Sequence, residues 1–326
     1  MLRSLIAVAA LAVAVSALAG CGGGGSTQTT SSASADASRQ ADIKMLELQT
    51  RHRKLQEELA RAKAAARRRR ASAAQSGAST GSGGLLGPGA SASFAALERE
   101  LGGSSGLGVA PAGRGQSPQT VGTLTSGSAW STMKVPVAIA ADAAGKADQS
   151  LVTRAITASD NSAAESLWSA LGSPSQAGAA TEHQLAAAGD SSTRVQTQVV
   201  RSGFSSFGQT DWSLDAQTRF VAGLPCVPDA GPVLNLMQQV EGDQRWGLGT
   251  LGGSPAFKGG WGPGTDGGYL VRQMGIVRIG GKPVALTIIN KPASGSFDAG
   301  TSNLSRIASW AAEHVKTGSL PDQPQC

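Results

Sequence analysis

The apolar positions of this 326-residue chain fall into blocks separated by stretches that hold almost none. Leu5 to Leu18 is a near-continuous run of Leu, Ile, Val and Ala, with Arg3 ahead of it and small residues behind. The run is shorter than the roughly 20 residues a membrane-spanning helix needs. Positive start, apolar run and small residues together predict a cleaved export signal over 1–20. Residues 21–38 are mostly Gly, Ser, Thr and Ala and predict a flexible linker. In 39–70 the composition turns to helix formers, and Met45, Leu48, His52, Leu55, Leu59, Ala62 and Ala66 recur by threes and fours. That is a short heptad seam on a basic helix, fading to Ala. Residues 71–92 return to Ser, Gly and Ala and predict a second linker.

From residue 93 onward the patterning is that of a packed domain. Ala95 to Leu101 reads as a helix stopped by Gly102-Gly103, and strand-like runs follow near 106–110 and 119–125. An Ala-rich helix is expected over Ser162–Leu171, with helical character again at Leu214–Leu224 and Pro232–Val240. Tyr269–Ile279 reads as a strand, Gly280-Gly281 as a turn and Val284–Ile289 as the next strand. Ser302–Val315 closes the chain as a helix with Leu304, Ile307, Ala308 and Ala311 on one face. Roughly 230 residues suffice for one substantial core. Strands and helices from both ends of the domain predict an α+β unit: an antiparallel sheet flanked by helices, with a helical subdomain inserted between.

Charge sharpens this division. The formal net charge is +6, yet residues 39–70 alone carry eleven Lys or Arg against four Asp or Glu. The basic balance belongs to the tether, and the remaining chain is close to neutral. With no zinc-ligand spacing and no nucleic-acid fingerprint, nucleic acid is not an expected partner. The basic helix reads most simply as a solvated spacer. Weak self-association through 45–66, or contact with anionic head groups or cell-wall polymer, are the alternatives.

Leu18-Ala19-Gly20-Cys21, followed by Gly22 to Gly25, resembles a bacterial lipobox. The resemblance implies acylation of the Cys21 thiol, cleavage before it, and lipid anchoring at the outer face of the cell membrane. An ordinary signal with an incidental cysteine is the alternative. With Cys21 acylated, Cys226 and Cys326 remain of the three cysteines. An oxidising compartment favours a disulfide between them over two free thiols.

Three short motifs carry chemistry. Ser131 and Lys134, in Trp130-Ser131-Thr132-Met133-Lys134, are three apart and share a face on a helix. A serine hydroxyl needs a base at neutral pH, and a lysine with a depressed pKa can supply one. Ser159-Asp160-Asn161 follows, then Lys258-Gly259-Gly260-Trp261. The order S-x-x-K, S-D-N, K-[T/S]-G resembles class A β-lactamases and penicillin-binding proteins over about 94–326. The resemblance implies Ser131 as acylated nucleophile, Lys134 as its base, and Ser159 as proton relay to the leaving group. It implies Asn161 as a holder of a substrate amide and Lys258 as positive charge beside Ser159. The backbone N–H groups of Ser131 and Trp261, next to Gly260, would form an oxyanion hole. Cell-wall peptide or a β-lactam-like acyl compound is the implied substrate. No metal or organic cofactor is implied, and His52, His183 and His314 are read as surface residues.

Three departures qualify the chemistry. Gly259 stands where the third motif usually has a Thr or Ser hydroxyl, and Asp266 and Thr265 offer no evident replacement. The short interval between Ser131 and Ser159 leaves no room for the aromatic gate of class A enzymes, so an open or differently walled cleft is expected. The stretch 190–200 contains no Glu to activate a deacylating water, and Glu182 is read as a surface residue. An acyl-enzyme that deacylates poorly is therefore expected. A catalytically faded domain acting as an envelope binding or scaffold module is the second reading, and a tether whose role lies in its basic helix the third.

Overall fold

The computed structural model describes residues 84–326, together with Lys44 and Thr50, both helical. The export signal, Cys21, the 21–38 linker and the heptad seam lie outside the described residues, apart from those two.

The folded unit begins earlier than its apolar pattern suggests. Leu85 is buried, Leu86 forms a bridge to Val315, and the first helix, α1, spans Ala90–Leu101. The stretch 84–92, read as linker, is therefore part of the domain. Helix α1 ends at Gly102, whose positive φ of 71° suits a residue without a Cβ. Its inward face carries Ala90, Phe94 and, unusually, Glu98. The Glu98 carboxylate is buried and accepts from Ser105 N at 2.6 Å and Thr123 N at 3.2 Å, which pins the helix to the strands that follow.

Those strands are β1 (Ser104–Pro111) and β2 (Gln119–Gly122). The run predicted to reach 125 stops at Gly122, where φ is 100° and a Cβ would come within 2.3 Å of Ser105 O. Strands β3 (Ser126–Ser128) and β4 (Asp211–Ser213) pair as a small separate ribbon. Helices α2 (Lys134–Ala143), α3 (Gln149–Thr153), α4 (Asn161–Ala170) and α5 (Pro174–Ala187) form the inserted helical part. Ser173 and Gln176 cap α5 reciprocally, and Pro174 occupies its first turn. Then come α6 (Leu214–Gly223), α7 (Gly231–Met237), β5 (Ala256–Pro263), β6 (Tyr269–Ile279), β7 (Lys282–Lys291) and α8 (Phe297–His314). Helix α8 starts earlier than its apolar face, because Ser296 caps it through Ala299 N.

The main sheet has five antiparallel strands in the order β2-β1-β7-β6-β5. Strand β7 lies at its centre and is covered on both faces. Val284, Leu286 and Ile288 pack with Phe94, Leu107, Val109, Leu304 and Ile307 under α1 and α8. Ala285, on the opposite face, joins the cluster containing Met133, Ile139, Trp168 and Phe220, in which α6 lies against the sheet. Full burial of each such side chain is worth about 1.5–3 kcal/mol. Strand β5 is left at the sheet edge, beside the turn that holds Ser131. Among the described residues no single helix is long and apolar enough to cross a membrane.

Candidate active site

Ser131 lies in a 3₁₀ turn, Trp130–Met133, and Lys134 opens α2 directly after it. Trp130 holds a positive φ of 48°, a conformation a non-glycine residue adopts only when its surroundings enforce it. The enforcement is visible. The Trp130 ring lies so close to β5 that a Cβ on Gly262 would come within 2.6 Å of it. Thr132 Oγ1 donates to Ala129 O and accepts from Gln217 Nε2, which fastens the turn from inside. The Ser131 hydroxyl has no hydrogen-bond partner among the described residues and faces a cleft of about 550 Å³.

Lys134 is buried and its amine turns to the second motif. Nζ donates to Ser159 O, to Ser159 Oγ at 3.3 Å and to Asn161 Oδ1 at 2.7 Å. Burial pushes its pKa down to about 8, against the nearby charges of Asp160 and Glu165, which favour the ammonium. Ser159 has a left-handed φ of 58° at the end of a π-helical turn, Arg154–Ala158. Asp160 then caps α4 by accepting from Ala163 N at 3.0 Å, so the backbone reverses at Ser159 and presents its hydroxyl and Asn161 to the cleft.

Lys258 reaches Ser159 from β5. Its Nζ donates to Ser159 Oγ at 2.8 Å and to Gly259 O at 3.2 Å. Complete burial, with the Lys134 charge adding to it, holds its pKa well below the ordinary lysine range. Ser159 Oγ thus accepts from two lysines, and its own proton is left to be given away.

The other strand residues meet the turn edge-on. A Cβ on Gly260 would fall within 2.9 Å of both Ser131 N and Ala129 O, so only glycine lets β5 approach the Ser131 amide. Trp261 lines the cleft and packs against Phe297 and Trp246, with ring centroids 5.5 Å and 5.9 Å away. Gly259 has a steric reason: a Cβ there would meet the Trp246 ring at 3.1 Å. A larger residue there would need the Trp246 indole to shift by a few tenths of an ångström. Asp266 is committed to Lys291 at 2.6 Å and does not replace the missing hydroxyl.

The cleft is differently walled rather than simply open. Trp130, Phe204, Trp261 and Tyr269 line it. Arg201 lies over the Phe204 ring at 4.7 Å and donates to Pro263 O at 2.6 Å, which straps 199–205 across to β5. In the stretch 190–200, Asp190 is buried and accepts from Ser192 N, Thr193 N and, at 2.9 Å, Trp212 Nε1. Glu182 is not a free surface residue: it accepts from Val195 N at 2.8 Å and lies 3.8 Å from Arg194. His314 is likewise a brace, stacked on Trp310 at 4.3 Å and hydrogen-bonded to Ser93 Oγ, whereas His183 is exposed. His52 lies outside the described residues.

Two residues near the site carry no motif signal. Glu165, on α4, lines the cleft with Ser131, Ser159 and Asn161. Arg272, in mid-β6, is fully buried and donates to the carbonyls of Gly127, Ser128 and Trp212 and to Gln217 Oε1. Burial lowers its pKa to about 9. Through Gln217 it reaches Thr132 and hence the turn that holds Ser131. Only the four-residue spacing from Asn161 to Glu165, close to one helical turn, offered a hint of the first.

Cys226 and Cys326 form a disulfide, which ties the last residue of the chain to the segment after α6. Among the described residues no cluster of His, Cys, Asp or Glu is arranged to hold a metal ion.

No protein-family model and no curated protein matches this chain. Solved structures do. The chain is similar to a β-lactamase from Chitinophaga pinensis, with a TM-score of 0.56 and 15% identity over 68% of this chain and 97% of that one. It is similar to a β-lactamase from Xanthomonas campestris, with a TM-score of 0.53 and 17% identity over 68% and 96% of the two chains. A W229D mutant of the ancestral class A β-lactamase of Gram-negative bacteria aligns with a TM-score of 0.53 and 18% identity over 68% and 97%. The domain that sets Ser131 and Ser159 in one cleft, with the buried Lys134 and Lys258 both bonded to Ser159, therefore has the serine β-lactamase fold.

Proposed function

We propose that this protein is a serine hydrolase or acyltransferase that forms an acyl-enzyme at Ser131. The observation that carries this reading is the convergence of two buried lysines on Ser159 beside an unpartnered Ser131 hydroxyl. A lysine with a pKa near 8 is a competent base for a serine proton. Its proton passes to Ser159, which delivers it to the leaving group as the acyl carbon–leaving group bond breaks. The close approach of Gly260 to the Ser131 amide supports an oxyanion hole built from the N–H groups of Ser131 and Trp261. Cell-wall peptide and β-lactam-like acyl compounds are the substrate class. Deacylation is the slower half, and the loop supplies no base for it: the acids at 182 and 190 are engaged in holding the loop.

The protein works at the outer face of the cell membrane, held by acyl chains on Cys21. The Cys226–Cys326 bond supports an oxidising location. Residues 45–66 serve as spacer or weak self-association seam. Metabolic labelling with a fatty acid, compared with Cys21→Ser, tests the anchor. The test of the chemistry is intact-mass spectrometry after exposure to a penicillin and to an activated acyl ester. The expected result is a covalent adduct that Ser131→Ala abolishes. No adduct with either probe favours the second reading, a binding module in which the Trp246–Gly259 packing has displaced the carboxylate-binding hydroxyl.

A further inference from the structure

Hydrolysis of an acyl-enzyme needs a carboxylate or amine that can take a proton from water beside the ester. Most acids around this cleft are already occupied. Asp160 caps α4 and lies 3.6 Å from Arg154. Asp190 and Glu182 hold the 190–200 loop. Asp211 accepts from Ser126 Oγ, and Asp266 is paired with Lys291. Glu165 differs from all of them. It lines the cleft, and among the described residues its carboxylate has no hydrogen bond and no ion pair.

Its position is fixed by helix geometry. Asn161 and Glu165 are four apart on α4, so they lie one turn apart on the same face. Asn161 is locked onto Lys134 at 2.7 Å, which orients that face toward the nucleophile. Half-burial raises the Glu165 pKa, with the Lys134 charge opposing the rise. A free carboxylate of raised basicity therefore stands in the cleft that an acyl group on Ser131 would enter.

Resting on the acyl-enzyme reading above, we propose that Glu165 is the general base for deacylation, in place of any residue of the 190–200 loop. In this step a water oxygen bonds to the acyl carbon while its proton passes to the Glu165 carboxylate. The carbonyl π electrons move to the oxygen, giving a tetrahedral oxyanion. Collapse re-forms the carbonyl and breaks the bond to Ser131 Oγ, which takes a proton back from the Glu165 carboxylic acid. The free acid leaves, and Ser131 and Glu165 return to their starting states.

The test separates the two half-reactions on the full chain with a fluorescent penicillin. Adduct formation on mixing gives acylation, and loss of label after a chase with unlabelled penicillin gives deacylation. For Glu165→Gln, deacylation is expected to fall by at least about tenfold while acylation falls by no more than about threefold. Glu165→Asp recovers part of the loss. Hydroxylamine, a nucleophile that does not need the base, releases the stalled adduct from Glu165→Gln. Labelling of the variant at Ser131 itself reports that it is folded. A Glu165→Gln protein that deacylates at the wild-type rate, or loses both half-reactions in parallel, overturns the assignment. A wild-type protein that never labels at Ser131 overturns the acyl-enzyme reading, and the assignment with it.

Discussion

Lys134 and Lys258, one at the start of α2 and the other on the edge strand β5, meet on the hydroxyl of Ser159, at 3.3 Å and 2.8 Å. Burial strips water from both ammonium groups, and at Lys258 the Lys134 charge adds to that loss. Both effects favour loss of a proton. The arrangement makes a basic amine out of a residue type that is ordinarily a fixed cation.

The first prediction follows from the sign of that shift. In the proposed acylation only a neutral Lys134 amine could accept the Ser131 proton, and burial brings its pKa down to about 8. Acylation should therefore rise with pH, about tenfold per unit, and level off above about pH 8. Pre-steady-state labelling across this range checks it. Lys134→Arg keeps its charge throughout and should lose the rise together with most of the activity.

The second concerns Gly260. A Cβ there would meet backbone at Ala129 O, Ser131 N and Thr132 N, all within 3.0 Å, and no flexible side chain can yield. Gly260→Ala should push β5 away from the nucleophile's amide. Acylation is expected to drop by about 10² or more, the scale of losing one oxyanion donor. Circular dichroism should show the fold retained.

At Gly259 the neighbour is a side chain instead. Restoring a hydroxyl by Gly259→Ser places its Cβ against the Trp246 ring at 3.1 Å. The single variant should lose about 1–3 kcal/mol by overpacking, without gaining affinity for anionic β-lactams. Gly259→Ser combined with Trp246→Ala should gain it. Thermal melts and acylation rates at graded penicillin concentration decide between them.

Arg272 supports the site from beneath. Among the described residues it makes no ion pair; three carbonyls and Gln217 hold it. Arg272→Met removes the donors and leaves those acceptors buried. A loss of about 2–4 kcal/mol is expected in urea unfolding, at about 1–3 kcal/mol for each unsatisfied group that fails to relax. The Cys226–Cys326 bond acts on the same scale for a different reason. It closes a separation of 100 residues, so reduction should cost about 2–5 kcal/mol. Because the bond lies outside the cleft, Ser131 labelling should survive reduction below the new melting point.

What was legible in the chain, and what was not, follows from the kind of neighbour each residue meets. Strands β6 and β7 were readable because β7 is covered on both faces and so carries an almost continuous apolar run. The hairpin between them was marked by Gly280 and Gly281, both at positive φ. The start of α1 was hidden, because Ala90-Ser91-Ala92-Ser93 continue the Ser/Ala composition of the preceding stretch and only Ala90 among them is buried. Arg272 was hidden for another reason: its carbonyl partners lie in β3 and β4, distant in sequence. For the site, motif order pointed to residues that share a cleft. Gly259 read as a loss, and its tight contact with the Trp246 ring, distant in sequence, could not be read there. Glu165 belongs to no motif and lies outside the stretch 190–200: the carboxylate arrives one helical turn beyond Asn161.

The most direct test of the account is to digest the penicillin-labelled protein and map the label by tandem mass spectrometry, in parallel with Lys134→Met. The account predicts a single acylated residue, Ser131, and loss of labelling by about 10² or more in the lysine variant. Label on another residue, or a Lys134→Met protein that acylates as fast as the parent, would contradict it.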